Sequence, residues 1–259
     1  MASRLLTRDQ MTDRLKDLKQ QGWIKSLRPL NSGGIGNTID ALLGLKENNL
    51  PIADTAQWEL KSHRVGSSSL LTLFHMEPEP RERRLVPQLL LPSYGWADQI
   101  RENELSFRQT LRATQATDRG FGISVNQELQ RVEVYFDAGL VQENHSEWLE
   151  NVGARVGLGP LNPGPYWNLQ DLFLKAQTKM LNSFYVQAET RRLNGEEFFA
   201  IKSVLILQGF NIDDFLAAIG TGEVLVDFDA RTHHNHGTKF RLRQNVIPTL
   251  YRFVDEAIS

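Results

Sequence analysis

The spacing of apolar and polar positions divides the chain into helical and extended segments. Leu5, Met11, Leu15 and Leu18 recur at helical spacing between Arg and Asp side chains, which predicts an amphipathic helix over residues 7–21. Gly22 suits the position just past its end. Residues 23–27 read as a short strand. They lead into Asn31-Ser32-Gly33-Gly34-Ile35-Gly36, whose glycines permit positive φ, and then into a helix from Thr38 to about Leu45. After the turn-rich Glu47-Asn48-Asn49-Leu50-Pro51, residues 58–63 and 70–75 have strand character and are joined by the flexible segment 65–69. Residues 77–105, with Pro78, Pro80, Pro87 and Pro92, read as a long connection holding at most a short helix.

Further along, strands are expected over 108–113, 122–125 and 131–136. The last two make a hairpin in which Val132, Val134 and Phe136 alternate with Glu133 and Tyr135. The Gly/Pro-rich residues 151–165 are the expected boundary between two lobes. Beyond them come a helix over 169–180 and strands over 184–190 and 198–207, with Arg192-Leu193-Asn194-Gly195 as the turn between the strands. A helix over 213–219, strands over 224–228 and 238–242, and a closing helix over 247–258 complete the reading. Hairpins rather than strict β-α alternation argue for a mixed α/β or α+β fold around one sheet.

Composition narrows the function classes. Against 31 Asp and Glu stand 29 Lys and Arg, so a formal net charge of -2 excludes a generally basic nucleic-acid coat while leaving room for a local basic face. Residues 1–30 carry 7 basic and 3 acidic side chains, and residues 230–243 carry 4 basic and none acidic. The absence of Cys removes disulfides, thiolate zinc sites and cysteine nucleophiles, and suits a reducing cytoplasm. The amphipathic, charged N-terminus lacks the apolar stretch of a signal peptide, and no window is apolar enough for a membrane span.

The candidate chemistry lies in Asp54, Glu59 and Lys61. Period-two geometry on the expected strand puts Glu59 and Lys61 on one face. A turn carrying Asp54 beside that strand could bring two carboxylates together, the donor set a hard Mg²⁺ ion needs, with the carbonyl of Leu60 as a further oxygen. Lys61 would then stand where an attacking water loses a proton and where charge grows on a phosphate. Asp40, on the helix after the glycine turn, could orient Lys61 or a water on the metal. Taken singly, a Glu-x-Lys pair is also a common solvated strand edge, and Asp40 also reads as a helix-surface aspartate. Three of six histidines, His233, His234 and His236, fall within four residues ahead of Lys239, Arg241 and Arg243. Adjacent His side chains on a loop point apart and no cysteine completes a zinc set, which leaves contact with base edges and a merely solvated polar loop as the readings. Phe240 and Leu242 alternate with the basic residues, which puts the cations together on one strand face.

The run Gly33-Gly34-Ile35-Gly36-Asn37-Thr38-Ile39-Asp40-Ala41-Leu42-Leu43-Gly44, then Glu47-Asn48-Asn49-Leu50, Asp54 and Trp58-Glu59-Leu60-Lys61 resembles the catalytic core of the MvaI/BcnI type II restriction endonucleases, itself similar to the mismatch-repair nuclease MutH. Ser69-Leu70-Leu71-Thr72-Leu73-Phe74-His75, Gln187-Ala188-Glu189-Thr190, Asn194-Gly195-Glu196-Glu197-Phe198-Phe199 and Thr232-His233-His234-Asn235-His236-Gly237-Thr238-Lys239-Phe240-Arg241 extend the likeness in order; residues 77–165 align least. The resemblance implies a PD-(D/E)xK core, a central mixed sheet flanked by helices in a MutH-like two-lobed arrangement, with Ala53 in place of the usual proline before Asp54. It implies an N-terminal catalytic lobe (about 1–150) and a C-terminal DNA-recognition lobe (about 166–259). Asp54 and Glu59 would hold Mg²⁺ and Lys61 would serve the attacking water. His75 and His234 would sense the central base pair, with Asn235, His236, Lys239 and Arg241 as base or backbone contacts and Arg64, beside His63, on phosphate. The implied activity is cleavage of double-stranded DNA at a CCNGG-type site by a monomer in a prokaryotic cytoplasm, with a DNA methyltransferase acting on the same site. A MutH-like nicking enzyme and a non-catalytic DNA-binding module are the competing readings.

Overall fold

The structure, a computed structural model, describes residues 6–29, 33–45 and 58–259. Asp54 and Ala53, together with Leu5, Asn31, Ser32 and the expected turn at 47–51, lie outside the described residues. In chain order the first elements are α1 (Arg8–Gln20), β1 (Ile24–Lys25), α2 (Gly34–Leu43), β2 (Glu59–Arg64) and β3 (Leu70–His75). Short helical turns through residues 81–94 end in α3 (Leu91–Tyr94), so the expected open connection is partly helical, with Pro87 and Pro92 at first-turn positions where a missing N–H costs nothing. Then come β4 (Trp96–Ala97), β5 (Leu105–Leu111), β6 (Arg119–Asn126), β7 (Arg131–Val141), α4 (Ser146–Val156), β8 (Tyr166–Asn168) and α5 (Leu169–Met180). The chain finishes with β9 (Asn182–Leu193), β10 (Glu196–Phe210), α6 (Ile212–Gly220), β11 (Val224–Arg231), β12 (His234–Asn235), β13 (Lys239–Arg243) and β14 (Tyr251–Ile258).

The chain packs as two units built from interleaved segments. The first takes the described residues up to Leu71, then Lys175–Ile212 and Arg243–Ser259; the second takes Thr72–Leu174 and Asp213–Leu242. This division differs from the single boundary expected near 151–165. Residues 146–156 are the helix α4, whose Val152 is buried, and the whole Gly/Pro-rich stretch lies inside the second unit.

In the first unit a mixed sheet runs β1-β10-β9-β2, with β14 also beside β10. β2 is parallel to β9, and the other pairings are antiparallel. Asn194 and Gly195, both at positive φ (52° and 80°), make the expected tight turn between β9 and β10. One face of this sheet is apolar. Leu60 of β2, Phe184, Val186 and Ala188 of β9, and Phe199 and Ile201 of β10 pack under Met11, Leu15 and Leu18 of α1 and Ile35, Ile39 and Leu43 of α2. A bulge between Ile201 and Ser203 then shifts the inward positions of β10 to Val204 and Ile206. α1 begins at a capping box, in which the Thr7 hydroxyl accepts the Gln10 N–H at 3.3 Å and the Gln10 side chain accepts the Thr7 N–H at 3.1 Å.

β2 joins the sheet of the first unit, and β3 lies next to β13 in a second sheet ordered β3-β13-β11-β5-β4. One expectation is corrected. The closing helix expected over 247–258 is instead a 3-10 turn (Gln244–Leu250) containing Pro248, followed by β14. Pro248 cannot supply a helical N–H, and Tyr251, Phe253, Val254 and Ile258 favour a strand. Pairing with β10 seats Tyr251 opposite Phe210, with the ring centroids 5.8 Å apart.

The second unit buries an aromatic core between its second sheet and the antiparallel sheet β6-β7-β8. Phe107, Phe121, Phe228 and Trp167 are fully buried, and Phe240 lies 5.1 Å from Phe74 and 5.3 Å from Trp167. The expected hairpin is present, with Val134 opposite Ile123 and Phe136 opposite Phe121. Among the described residues no helix is long and apolar enough to cross a membrane.

Gly34, at the start of α2, packs against the preceding chain so tightly that a Cβ there would lie 2.2 Å from the carbonyl oxygen of Arg28. Gly22, at φ 72°, faces open space. Gly34→Ala should therefore destabilise by about 1–3 kcal/mol, because backbone must move. Gly22→Ala should cost about 1 kcal/mol for its left-handed φ alone. Denaturant melts of the two variants check the order, and equal losses would show that the α2 contact is looser than described.

Candidate active site and nucleic-acid interface

β2 turns its two faces to different surroundings. Leu60 faces the apolar core, and a Cβ on Gly36 of α2 would lie 3.1 Å from Ser62 Oγ. Alternation puts Glu59, Lys61 and His63 on the opposite face. There the parallel register brings Ser183 beside Glu59 and Tyr185 beside Lys61. The expected Glu59–Lys61 pair forms, with Lys61 Nζ 2.8 Å from Glu59 Oε1. Lys179 of α5 stands 3.8 Å from the other oxygen, Oε2.

Glu59 is 6% exposed, and its buried Oε2 accepts no hydrogen bond among the described residues. A carboxylate this deep is tolerable only with cationic neighbours, and two lysines supply them. Tyr251 closes the far side, its hydroxyl 3.0 Å from Ser183 Oγ. Burial pushes the Tyr251 phenol well above its usual range and the Glu59 charge adds to this, against the opposing Ser183 hydrogen bond, so the phenol stays protonated. Among the described residues no three carboxylate or imidazole groups gather into a metal site. Glu59 is the described member of the expected carboxylate pair, and Asp54 lies outside the described residues. An inward carboxylate oxygen that accepts no hydrogen bond fits a divalent cation, and Leu60, whose side chain is in the core, could contribute only its carbonyl. Asp40 is carried by α2, which lies on the Leu60–Ser62 side of β2.

His63 and Arg64 are engaged by the protein itself. The Arg64 guanidinium makes a two-point pair with the buried Glu197, at 2.8 and 3.1 Å. His63 Nδ1 lies 2.6 Å from the Tyr185 hydroxyl, and the two rings stack with centroids 5.3 Å apart. The Tyr185 hydroxyl also lies 3.0 Å from the Gln244 carbonyl, so it links His63 to that carbonyl.

In the second unit, β13 presents Lys239 and Arg241 on the face opposite the buried Phe240 and Leu242, as expected. Both cations are paired with β11, Lys239 Nζ lying 2.9 Å from Asp229 and Arg241 3.0 Å from Asp227. Arg108 of β5 adds a second cation to Asp229 at 2.8 Å, and Thr110 a hydroxyl to Asp227 at 2.8 Å. Burial works to raise the Asp229 pKa, but the hydrogen bonds and charges of Lys239 and Arg108 outweigh it and hold the carboxyl below its ordinary range. Beside this face His234 and Asn235 pair with the end of β11, and His234 Nε2 lies 3.3 Å from His236 Nδ1. All three are exposed, as is His75 at the end of β3. A Cβ on Gly237 would lie 3.5 Å from His75 Cδ2, so His75 and the histidine loop are neighbours.

Lys179, Tyr185, Asp227 and Asp229 were not singled out from the sequence. The two aspartates had a visible signal, since Val224-Leu225-Val226-Asp227-Phe228-Asp229 alternates as a strand with an acidic face. Lys179 and Tyr185 reach β2 from more than a hundred residues away.

The first unit thus carries a buried Glu-Lys pair on its mixed sheet, and the second a sheet face of charged side chains and exposed histidines. The chain belongs to the MvaI/BcnI restriction endonuclease family, whose family model matches residues 12–251, and it is thereby a type II site-specific deoxyribonuclease. Two solved structures share its fold. A complex of restriction endonuclease MvaI with its cognate DNA substrate is 20% identical, with a TM-score of 0.78, over 98% of this chain and 100% of that one. MvaI in the absence of DNA is 21% identical, with a TM-score of 0.55, at the same coverage. No curated protein matches the sequence.

Burial lowers the His63 pKa from its ordinary 6.5. A pKa depressed on folding means that the unfolded chain binds the proton more tightly, so stability is full above about pH 6.5 and falls as pH drops toward the folded value. Melting temperatures taken from pH 7.5 to 5 should fall less in His63→Asn than in the parent. Equal slopes would remove His63 as a source of the acid sensitivity.

Proposed function

We propose that this endonuclease is Mg²⁺-dependent, with Glu59, Asp54 and the Leu60 carbonyl holding the ion, and that it hydrolyses both strands of a CCNGG-type site as a monomer. The observation that carries the reading is Glu59, buried between Lys61 and Lys179, with one oxygen that accepts no hydrogen bond among the described residues. When bound, Mg²⁺ supplies Lewis-acid stabilisation of charge on the scissile phosphate. Lys61 is held 2.8 Å from Glu59, and were that carboxylate to engage a cation, the Lys61 ammonium would orient the attacking water, whose proton passes to solvent, and offset the charge growing on the phosphate. Asp40, carried by α2 on the Leu60–Ser62 side of β2, would act on the site only through that strand. In the second unit His75, His234, Asn235 and His236 read the central pair, while Lys239 and Arg241 exchange Asp229 and Asp227 for DNA. Arg64, tied to Glu197, shapes the strand end from which a phosphate is approached. The MvaI complex with its cognate DNA, similar in fold, supports the reading of double-stranded DNA as the substrate. A DNA methyltransferase protecting the same site in a prokaryotic cytoplasm is the functional partner.

Supercoiled plasmid incubated with Mg²⁺ should yield discrete linear fragments with ends in one sequence context, and EDTA should stop the reaction. Nicked circles alone would favour a strand-nicking repair enzyme, and an uncut plasmid a binding module. Lys61→Met should slow cleavage by about a hundredfold to ten-thousandfold, while Asp54→Ala or Glu59→Gln should abolish it. Persistent cutting by either carboxylate variant would overturn the assignment of the metal ligands.

A further inference from the structure

One side chain ties the histidine loop to the end of β3. Glu77 Oε1 accepts the N–H of Thr238 at 2.8 Å, and Oε2 accepts its hydroxyl at 3.3 Å. Thr238 is fully buried. The backbone on either side of Glu77 is itself fixed. Met76 N–H donates to the Thr238 carbonyl at 2.9 Å, the Met76 carbonyl accepts the indole N–H of Trp167 at 3.0 Å, and Glu79 N–H donates to Tyr166 at 2.7 Å. Gly237 has φ 81°, and a Cβ there would meet Glu77 Oε1 at 3.3 Å as well as His75 at 3.5 Å, so the loop crosses directly over both residues. On its other side the loop is held by His236 N–H on the Asp229 carbonyl at 3.0 Å, and Asn235 Oδ1 accepts Gly237 N–H at 2.9 Å. The backbone is thus anchored while the imidazoles of His75, His234 and His236 remain exposed.

We infer that Glu77 is a specificity-determining positioning residue. By taking both donors of Thr238 it locks the 234–237 loop to the strand end bearing His75, so that the histidines form one rigid reading surface for the central base pair. This rests on the proposed role of those histidines. Base discrimination depends on hydrogen bonds that tolerate only a few tenths of an ångström, so a loop that samples several positions still binds DNA but stops distinguishing pairs.

Glu77→Ala removes both acceptors. Glu77→Gln keeps one carbonyl acceptor and offers an amide N–H to the Thr238 oxygen, so it should rescue. Thr238→Val removes only the hydroxyl contact and preserves side-chain shape, which keeps the test available if Glu77→Ala folds poorly. Two measurements are made on each full-length variant: hydrogen exchange across residues 234–238, and the kcat/KM ratio for two duplexes differing only in the central pair. For Glu77→Ala, exchange should rise and the ratio fall, each by about tenfold, with Thr238→Val changed in the same direction but less, and Glu77→Gln within about threefold of the parent. Unchanged exchange in Glu77→Ala and Thr238→Val would refute the clamp. Faster exchange with an unaltered ratio would refute its role in specificity. A parent enzyme without preference at the central pair would overturn the inference through the base-reading assignment, and the exchange data would show separately whether the clamp exists.

Discussion

Everything on the Glu59 face of β2 depends on burying that carboxylate. A lone carboxylate at 6% exposure would be protonated or would unfold its surroundings, and here Lys61 and Lys179 offset the lost hydration. Removing one partner of such a pair costs about 3–5 kcal/mol, so the lysines help hold the fold. The sheet makes this possible by separating its faces: Leu60, Phe184 and Val186 go into the core under α1 and α2, while Glu59, Lys61 and His63 face the other side with Tyr185 and Ser183. The same strand therefore contributes to the core and to the proposed site. Tyr185 extends the order outward, joining His63 to the Gln244 carbonyl and hence β2 to the turn before β14.

The second unit handles charge by a different route. Its basic strand faces carboxylates on the neighbouring strand, with Lys239 and Arg108 on Asp229 and Arg241 on Asp227. A near-neutral chain of net charge -2 thus presents a face whose cations are already fixed in direction by their partners. On the proposed role of this face, DNA would exchange one set of anions for another, which would lower the net electrostatic gain and favour the sequence that best replaces the aspartates. Salt should weaken such binding, because phosphate neutralisation still releases counterions.

What could be read in the sequence was what short-range geometry decides. The α1 helix announces itself by Thr7, Gln10 and the Met11–Leu15–Leu18 stripe, and the β9–β10 turn by Asn194-Gly195. The Glu59–Lys61 contact follows from period two alone. The MvaI/BcnI resemblance, resting on ordered blocks of residues, is the family the chain belongs to. Features set by distant segments were not legible. Nothing local to β2 and β3 says that they enter different sheets, or that Lys179 reaches Glu59. The closing segment misleads because its apolar residues suit either period, and only Pro248 and the open edge of β10 decide for a strand. The interleaving of the two units, with the chain leaving the first at Leu71 and re-entering it at Lys175, likewise depends on long-range packing.

The central claim is that the buried Glu59 carboxylate is one half of a divalent-cation site. Calorimetric titration of the DNA-free protein with Mn²⁺, as a spectroscopically visible substitute for Mg²⁺, tests it without any cleavage step, and Mn²⁺ paramagnetic resonance reports the bound fraction. Saturable binding in the parent that disappears in Glu59→Gln, with folding intact by circular dichroism, is the expected result. Equal Mn²⁺ binding by parent and variant would contradict it.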